Sequence, residues 1–286
     1  MKKLLYILIL SLAIIPLGGC FEGETTKGTK ITTTVYPIEY IVNNLYTKQE
    51  ITSIYPNGAD TNSYKLTSKQ IKEYSKTTNL FIYNGLTEEK EIARKLVNLN
   101  KTIQIIDVNY GLKYSNSIEE LWLSPSNYLM MCNTIKNDLI DINNNKYLTN
   151  EINENYKKIE EDLSILDANL KAIADNTEES KKTLVIADNA FAFLQTYGFH
   201  IINISDKNNI TNSIKEKFKN GTYNTIYVRA NAPLIDEIKD LSDNYKAKLV
   251  EIDTMNTLTE KERNNKEDYI TIMNKFLTDL SNNVLN

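Results

Sequence analysis

Residues 149–176 read TNEINENYKKIEEDLSILDANLKAIADN. The apolar positions Ile152, Tyr156, Ile159, Leu163, Leu166, Leu170 and Ile173 follow one another at spacings of 4, 3, 4, 3, 4 and 3. That spacing is one continuous helical stripe, with Glu, Lys and Asn on the remaining faces. At 1.5 Å per residue the helix would run about 40 Å, longer than a crossover inside one small lobe requires. A coiled-coil oligomer would use the same stripe, but about three heptads support one weakly. The length therefore predicts a helix that spans and packs against two lobes.

On its N-terminal side, strand-like runs at 30–35, 51–55, 80–83 and 102–108 alternate with helical patterns at 38–46, 68–75 and 88–97. A further helix is expected at 125–140, with Pro125 in the first turn, where a missing N–H costs nothing. On the C-terminal side, strands are expected at 183–187, 201–204, 225–228 and 248–252, and helices at 190–197, 214–218, 234–242 and 266–285. Short β-rich runs alternating with helices imply parallel strands joined by crossovers. The predicted fold class is α/β: two lobes with mainly parallel sheets, joined by one long backbone helix, with a ligand cleft between the lobes. Open parallel sheets bind ligands beyond the carboxyl ends of their strands. The expected organisation is a signal peptide at 1–19, a stalk at 20–30, an N-terminal lobe at 31–145, a linking helix at 146–180 and a C-terminal lobe at 181–286.

The first residues carry their own signature. Lys2 and Lys3 precede fourteen nearly unbroken apolar residues, 4–17. A membrane-spanning helix needs about 20, so a charged start, a short apolar core and small residues after it read as a cleaved export signal. The junction Leu17-Gly18-Gly19-Cys20 resembles the lipobox of bacterial lipoproteins, which implies lipidation of Cys20 and a membrane-anchored, extracytoplasmic protein. Each buried methylene of such an anchor contributes about 0.8 kcal/mol. Residues 21–30, FEGETTKGTK, are small, polar and aperiodic, a flexible stalk between lipid and body.

Without Lys2 and Lys3 the chain carries 31 basic against 37 acidic residues. That balance argues against nucleic acid or an anionic lipid surface as the main partner. With Cys20 lipidated, Cys132 has no partner for a disulfide, so the fold must rest on its core. Cys132 lies among Met130, Met131 and other apolar residues and reads as a buried inert thiol. Enzymatic readings fare poorly. The chain has no Gly-rich phosphate loop after a strand and no Gly-x-Ser-x-Gly elbow, and His200 is its one histidine. Residue type alone leaves a glycosidase-like carboxylate pair open.

Several landmarks resemble one family. Pro56-Asn57-Gly58-Ala59-Asp60-Thr61-Asn62-Ser63-Tyr64 resembles the P-x-G-A-D-P-H-S-Y loop of the metal-binding lipoproteins of ABC importers, the family serving zinc and manganese uptake. Ile31-Thr32-Thr33-Thr34-Val35-Tyr36-Pro37 is similar to its first strand and Y-P or F-P turn, and Leu80 to Gly85 to a later strand and N-G turn. Trp122-Leu123-Ser124-Pro125 resembles its W-L-D/S-P, and Asp188-Asn189-Ala190-Phe191 its H-x-A-F or E-x-x-F turn. The resemblance runs in order over nearly the whole chain after Cys20. It implies a solute-binding component that captures a divalent metal between its lobes and delivers it to an ABC importer permease.

That family grips metal with four side chains, two per lobe. Position by position, the resemblance places these on Asn62, Glu120, Asp188 and Asp253, with Arg229 where a further acidic residue is expected. The family histidines are absent. Zinc favours imidazole and thiolate, whereas an all-oxygen set suits Mg²⁺, Ca²⁺ or Mn²⁺, so a manganese-like hard ion is expected over zinc. Three converging carboxylates repel unless a cation joins them. Two readings stand side by side at this point: a bound divalent ion, or a metal-free polar cleft in which Arg229 pairs with the carboxylates. Tyr64 and Trp122 flank the positions, either shielding them from water or packing the core. His200 opens an apolar strand away from the four and reads as a packed or surface residue. A binder of a larger metal chelate and a surface adhesin on the same scaffold are the remaining alternatives.

Overall fold

The computed structural model describes residues 28–47, 49–143 and 145–285. The first lobe is built from β1 (Lys30–Thr33), α1 (Tyr36–Leu45), β2 (Glu50–Ser53), α2 (Ser68–Thr77), β3 (Leu80–Tyr83), α3 (Glu89–Leu99) and β4 (Gln104–Asp107). Its four strands are all parallel, in the order β2-β1-β3-β4. After the short helix α4 (Glu120–Leu123) come α5 (Pro125–Asp141) and the long helix α6 (Lys146–Asn176). The second lobe contains β5 (Thr183–Ile186), a 3₁₀ segment (Asn189–Tyr197), β6 (His200–Asn203), α7 (Asn212–Lys219), β7 (Thr225–Arg229), α8 (Asp236–Tyr245) and β8 (Lys248–Ile252). Its sheet is again parallel, in the order β6-β5-β7-β8, so the second sheet repeats the topology of the first. The chain ends with α9 (Glu260–Asn264) and α10 (Tyr269–Val284).

The two-lobed α/β architecture stands, and α6 joins it. Ile152, Ile159, Leu163, Leu166 and Leu170 are buried along one side of this 31-residue helix, which at 1.5 Å per residue is about 46 Å long. It packs against α5 and α1 on the first-lobe side and α10 on the other. Polar contacts pin both ends of the stripe: Asn155 donates to the Leu45 carbonyl at 3.3 Å, and the Tyr197 hydroxyl meets Asp167. One apolar core runs through both lobes, and a smaller one lies between the second sheet and α7 and α8. Buried aromatics with satisfied hydroxyls cross the junction: Tyr128 donates to the Pro37 carbonyl and Tyr269 to the Trp122 carbonyl, both at 2.6 Å, with the two rings 4.2 Å apart. Among the described residues no helix is long and apolar enough to cross a membrane.

Two expected elements differ. The segment after β5 is 3₁₀ rather than α; it opens on the Asp188 side chain, which accepts from Ala190 N, and closes on Gly198 in the left-handed region at φ 97°. The last helix starts at Tyr269, three residues after the expected start. Asp268 caps it by accepting from Thr271 N, and Lys266 just before has a φ of 57° that no helix continues.

Candidate functional site

Order β2-β1-β3-β4 reverses its direction of growth between β1 and β3, and order β6-β5-β7-β8 does so between β5 and β7. Such reversals open a crevice at the carboxyl ends of the strands. In the second lobe, Asp188 lies two residues beyond β5 and Arg229 is the last residue of β7, so the topology itself brings them together. The Arg229 guanidinium meets Asp188 as a fork: Nε donates to Oδ2 at 2.7 Å and Nη2 to Oδ1 at 3.2 Å. Its Nη1 reaches Glu119 Oε1 at 2.8 Å and the Thr254 hydroxyl at 3.2 Å. Burial works against the guanidinium's charge, but the Asp188 and Glu119 carboxylates outweigh it and hold the Arg229 pKa above its ordinary value.

Asn62, Asp188 and Asp253 line one cleft of about 440 Å³ together with Asp60, Arg229, Asn256 and the 230–233 loop. The Asp60 side chain shapes the loop on the first-lobe side, accepting from Ser63 Oγ at 2.8 Å and from Asn62 N at 3.0 Å. Ser63's bond, then Asn62's, lower the Asp60 pKa, and the charge of Arg229 adds to them. Asn62 itself is exposed at the mouth.

Asp253 follows β8 and accepts from Met255 N at 2.6 Å. That bond supports Met255, a fully buried non-glycine residue at φ 57°. Burial first, then the neighbouring Glu262 carboxylate, push Asp253 up to about 7. Glu262 goes the other way: burial would raise it, but bonds from Asp253 and Thr259 outweigh that. Burial and the Glu262 carboxylate thus both favour the protonated form of Asp253.

Glu120 does not face this cleft. Its carboxylate accepts from Ser115 N at 2.9 Å and from Asn116 N and Nδ2 at 3.2 and 2.8 Å, closing the loop ahead of α4. The neighbouring Glu119 takes the inward direction instead and is buried, held by Ser117 Oγ and by Asn256 Nδ2 at 3.3 Å as well as by Arg229. Tyr64 packs edge-on against Tyr55 with ring centres 5.9 Å apart and accepts from Gln70, inside the first lobe. Trp122 is buried and its Nε1 donates to the Thr254 carbonyl at 2.7 Å, tying α4 to the loop after β8. His200 is exposed and bonded to Glu179, and burial pushes the Cys132 thiol up. Cys20 lies outside the described residues.

The loop 254–258 seals the floor of the cleft across the lobes. Tyr36 N donates to Asn256 O at 3.0 Å, Gly58 N to Leu258 O at 2.9 Å, and the Thr257 hydroxyl to Ala59 O at 3.0 Å. Arg263 of α9 adds a forked pair with Glu39 of α1 at 2.8 and 2.9 Å. Among the described residues, no three His, Cys, Asp or Glu side chains stand close enough to hold a metal ion. The carboxylates are committed elsewhere: Asp188 and Glu119 to Arg229, Asp253 to Glu262, Glu120 to its own loop. Sequence spacing missed Glu119, Thr254 and Asn256. The Glu119-Glu120 pair was the only signal for the first, and nothing in the sequence marked the other two.

A family model described as "ZnuA: Zinc-uptake complex component A periplasmic" matches residues 31–283. The metal ABC transporter substrate-binding lipoprotein SsaB of Streptococcus sanguinis is 27% identical over 213 residues, 68% of this chain and 68% of SsaB. The iron-binding protein YfeA of Yersinia pestis is 24% identical over 187 residues, 62% of this chain and 59% of YfeA. The metal-dependent lipoprotein YcdH of Bacillus subtilis superposes with a TM-score of 0.75 at 20% identity, over 90% of this chain and 99% of that one. The Zn(II)-bound ZnuA-like domain of Streptococcus pneumoniae AdcA gives 0.73 at 21%, over 91% and 100%.

Proposed function

The chain belongs to the family of the periplasmic zinc-uptake component A, and from that premise we propose that its cleft captures a hard divalent cation, Mn²⁺ in preference to Zn²⁺. The chain is an extracytoplasmic, metal-binding solute-binding component of an ABC importer and not an enzyme. The observation that carries the choice of ion is the donor chemistry of the cleft. Asn62 from the first lobe and Asp188 and Asp253 from the second line the same space and can offer it oxygen donors. Oxygen donors suit hard ions, and zinc's preferred imidazole and thiolate are missing from the lining. The first-lobe carboxylate in this reading is Glu119, which already reaches the second lobe through Arg229.

The same reading places signal peptide 1–19 ahead of a lipidated Cys20, with residues 20–30 as a stalk. Lobes at 31–145 and 181–286 then stand on either side of the linking helix, and an importer permease receives the cargo.

Thermal melting tests the ion. Chelator-stripped protein should gain about 2.7 kcal/mol over its ion-free form with Mn²⁺ at a hundred times the dissociation constant, and less with Zn²⁺ at the same concentration, and Asp253→Ala should abolish the gain. A melt that no divalent ion moves refutes capture in this cleft.

A further inference from the structure

In the structure the position that a cargo ion would share with Asp188 and Glu119 is taken by a side chain of the protein itself. Four of the five Arg229 N–H groups are engaged: one by each Asp188 oxygen, one by Glu119 and one by Thr254. The guanidinium therefore has almost no free donor with which to hold a separate anionic ligand. Its effect falls on the two carboxylates, whose charge it neutralises inside a largely buried setting. Arg229 and Asp188 side chains are 23% and 22% exposed and Glu119 only 4%. The lobes, meanwhile, are held together by main-chain bonds and the Thr257 hydroxyl on the 254–258 loop and by Arg263–Glu39, none of which involves Arg229. The guanidinium is thus not needed to bring the lobes together. Its position has a different consequence: it occupies the charge that cargo would bring.

We propose that Arg229 is a tethered counter-cation, and that a divalent ion enters the cleft by displacing its guanidinium from Asp188 and Glu119. This rests on the capture of a divalent cation proposed above. Binding is then an exchange of one cation for another rather than an addition of charge to empty carboxylates. Arg229 sets the affinity, because every ion bound must break charge-assisted bonds that are stronger than neutral ones. On release the guanidinium returns to the carboxylates, so two buried negative charges are never left unpaired.

Calorimetric titration of chelator-stripped protein with Mn²⁺ tests the exchange on three chains. Arg229→Gln removes the competing charge and should bind Mn²⁺ roughly tenfold tighter than wild type or more, tenfold being a 1.4 kcal/mol difference. Arg229→Lys keeps a positive charge in place and should stay within a few fold of wild type, which separates competition from a change of shape. Should Arg229→Gln fail to melt cooperatively, the wild type answers alone. Its Arg229 Nε–H resonance, identified by its loss in Arg229→Lys, should move toward that of a free guanidinium on saturation with diamagnetic Zn²⁺. Equal or weaker Mn²⁺ binding by Arg229→Gln, or an Nε–H resonance unmoved at saturation, overturns the exchange while leaving capture intact. Binding by Arg229→Gln with none by wild type overturns the exchange and the capture reading together, since the guanidinium then never yields to an ion in the natural chain. No binding by either ends both.

Discussion

Glu89, in the first turn of α3, is only 3% exposed, and its carboxyl is held by the protein interior: Oε2 accepts from Asn84 N at 2.8 Å and Oε1 from the Tyr55 hydroxyl at 3.2 Å. Burial outweighs these bonds and pushes its pKa from the ordinary 4.5 up to about 7. The folded state therefore binds the Glu89 proton more tightly than the unfolded state does. The associated stability is fully present below pH 4.5 and is lost as pH rises through about 7. A shift of that size at 1.36 kcal/mol per unit corresponds to about 3 kcal/mol. Glu89→Gln keeps the shape and an oxygen to accept from Asn84 N, but it cannot ionise. Urea denaturation of both proteins from pH 4 to pH 8 should show wild type losing about 3 kcal/mol relative to the glutamine variant, nearly all of it between pH 4.5 and 7. Asp253 also ionises near 7, but it is present in both chains and cancels in the difference. Parallel stability profiles for the two proteins would refute the claim that a buried proton resides on Glu89.

Leu163 is 1% exposed in the middle of the α6 stripe. Leu163→Ala should cost about 2–5 kcal/mol in denaturant melts, and a loss within about half a kcal/mol would put the stripe in solvent. Cys20→Ala should leave the body folded and release it from the membrane. Equal partitioning of wild type and variant into the aqueous phase of a detergent separation would defeat the lipid anchor.

The long helix was legible because burial of one face imposes a repeat near 3.6, and Ile152 to Leu170 keep it without interruption. Both sheets were legible for a similar reason: strands buried on two faces, such as Leu80–Tyr83, read as short apolar runs. Element ends were less so, since they depend on single side chains. Asp268 and Lys266 set the start of the last helix, and a spacing pattern does not weigh either. The site was legible only as a neighbourhood. Counting back from Trp122 points to Glu120, but adjacent residues on a helical turn project about 100° apart. Which of Glu119 and Glu120 turns inward to Arg229 is therefore decided by the loop that captures the other one, through Ser115 and Asn116.

The repeated topology explains why the remaining carboxylates sit where they do. Each sheet has one reversal point, and each places a carboxyl there: Asp188 between β5 and β7, and Glu89 beside Asn84 and Thr34 at the ends of β3 and β1. An unpaired charge in either crevice would be costly, and the two lobes resolve the cost differently. Burial in the first lobe leaves the carboxyl protonated up to about pH 7. In the second, a guanidinium supplied by the adjacent strand pairs with the carboxylate as a fork at 2.7 and 3.2 Å. A neutral carboxyl sealed under the first sheet's loops has no charge to offer a cation. The Arg229-paired Asp188 instead lines the open cleft, so the capture proposed above is assigned to the second lobe's crevice.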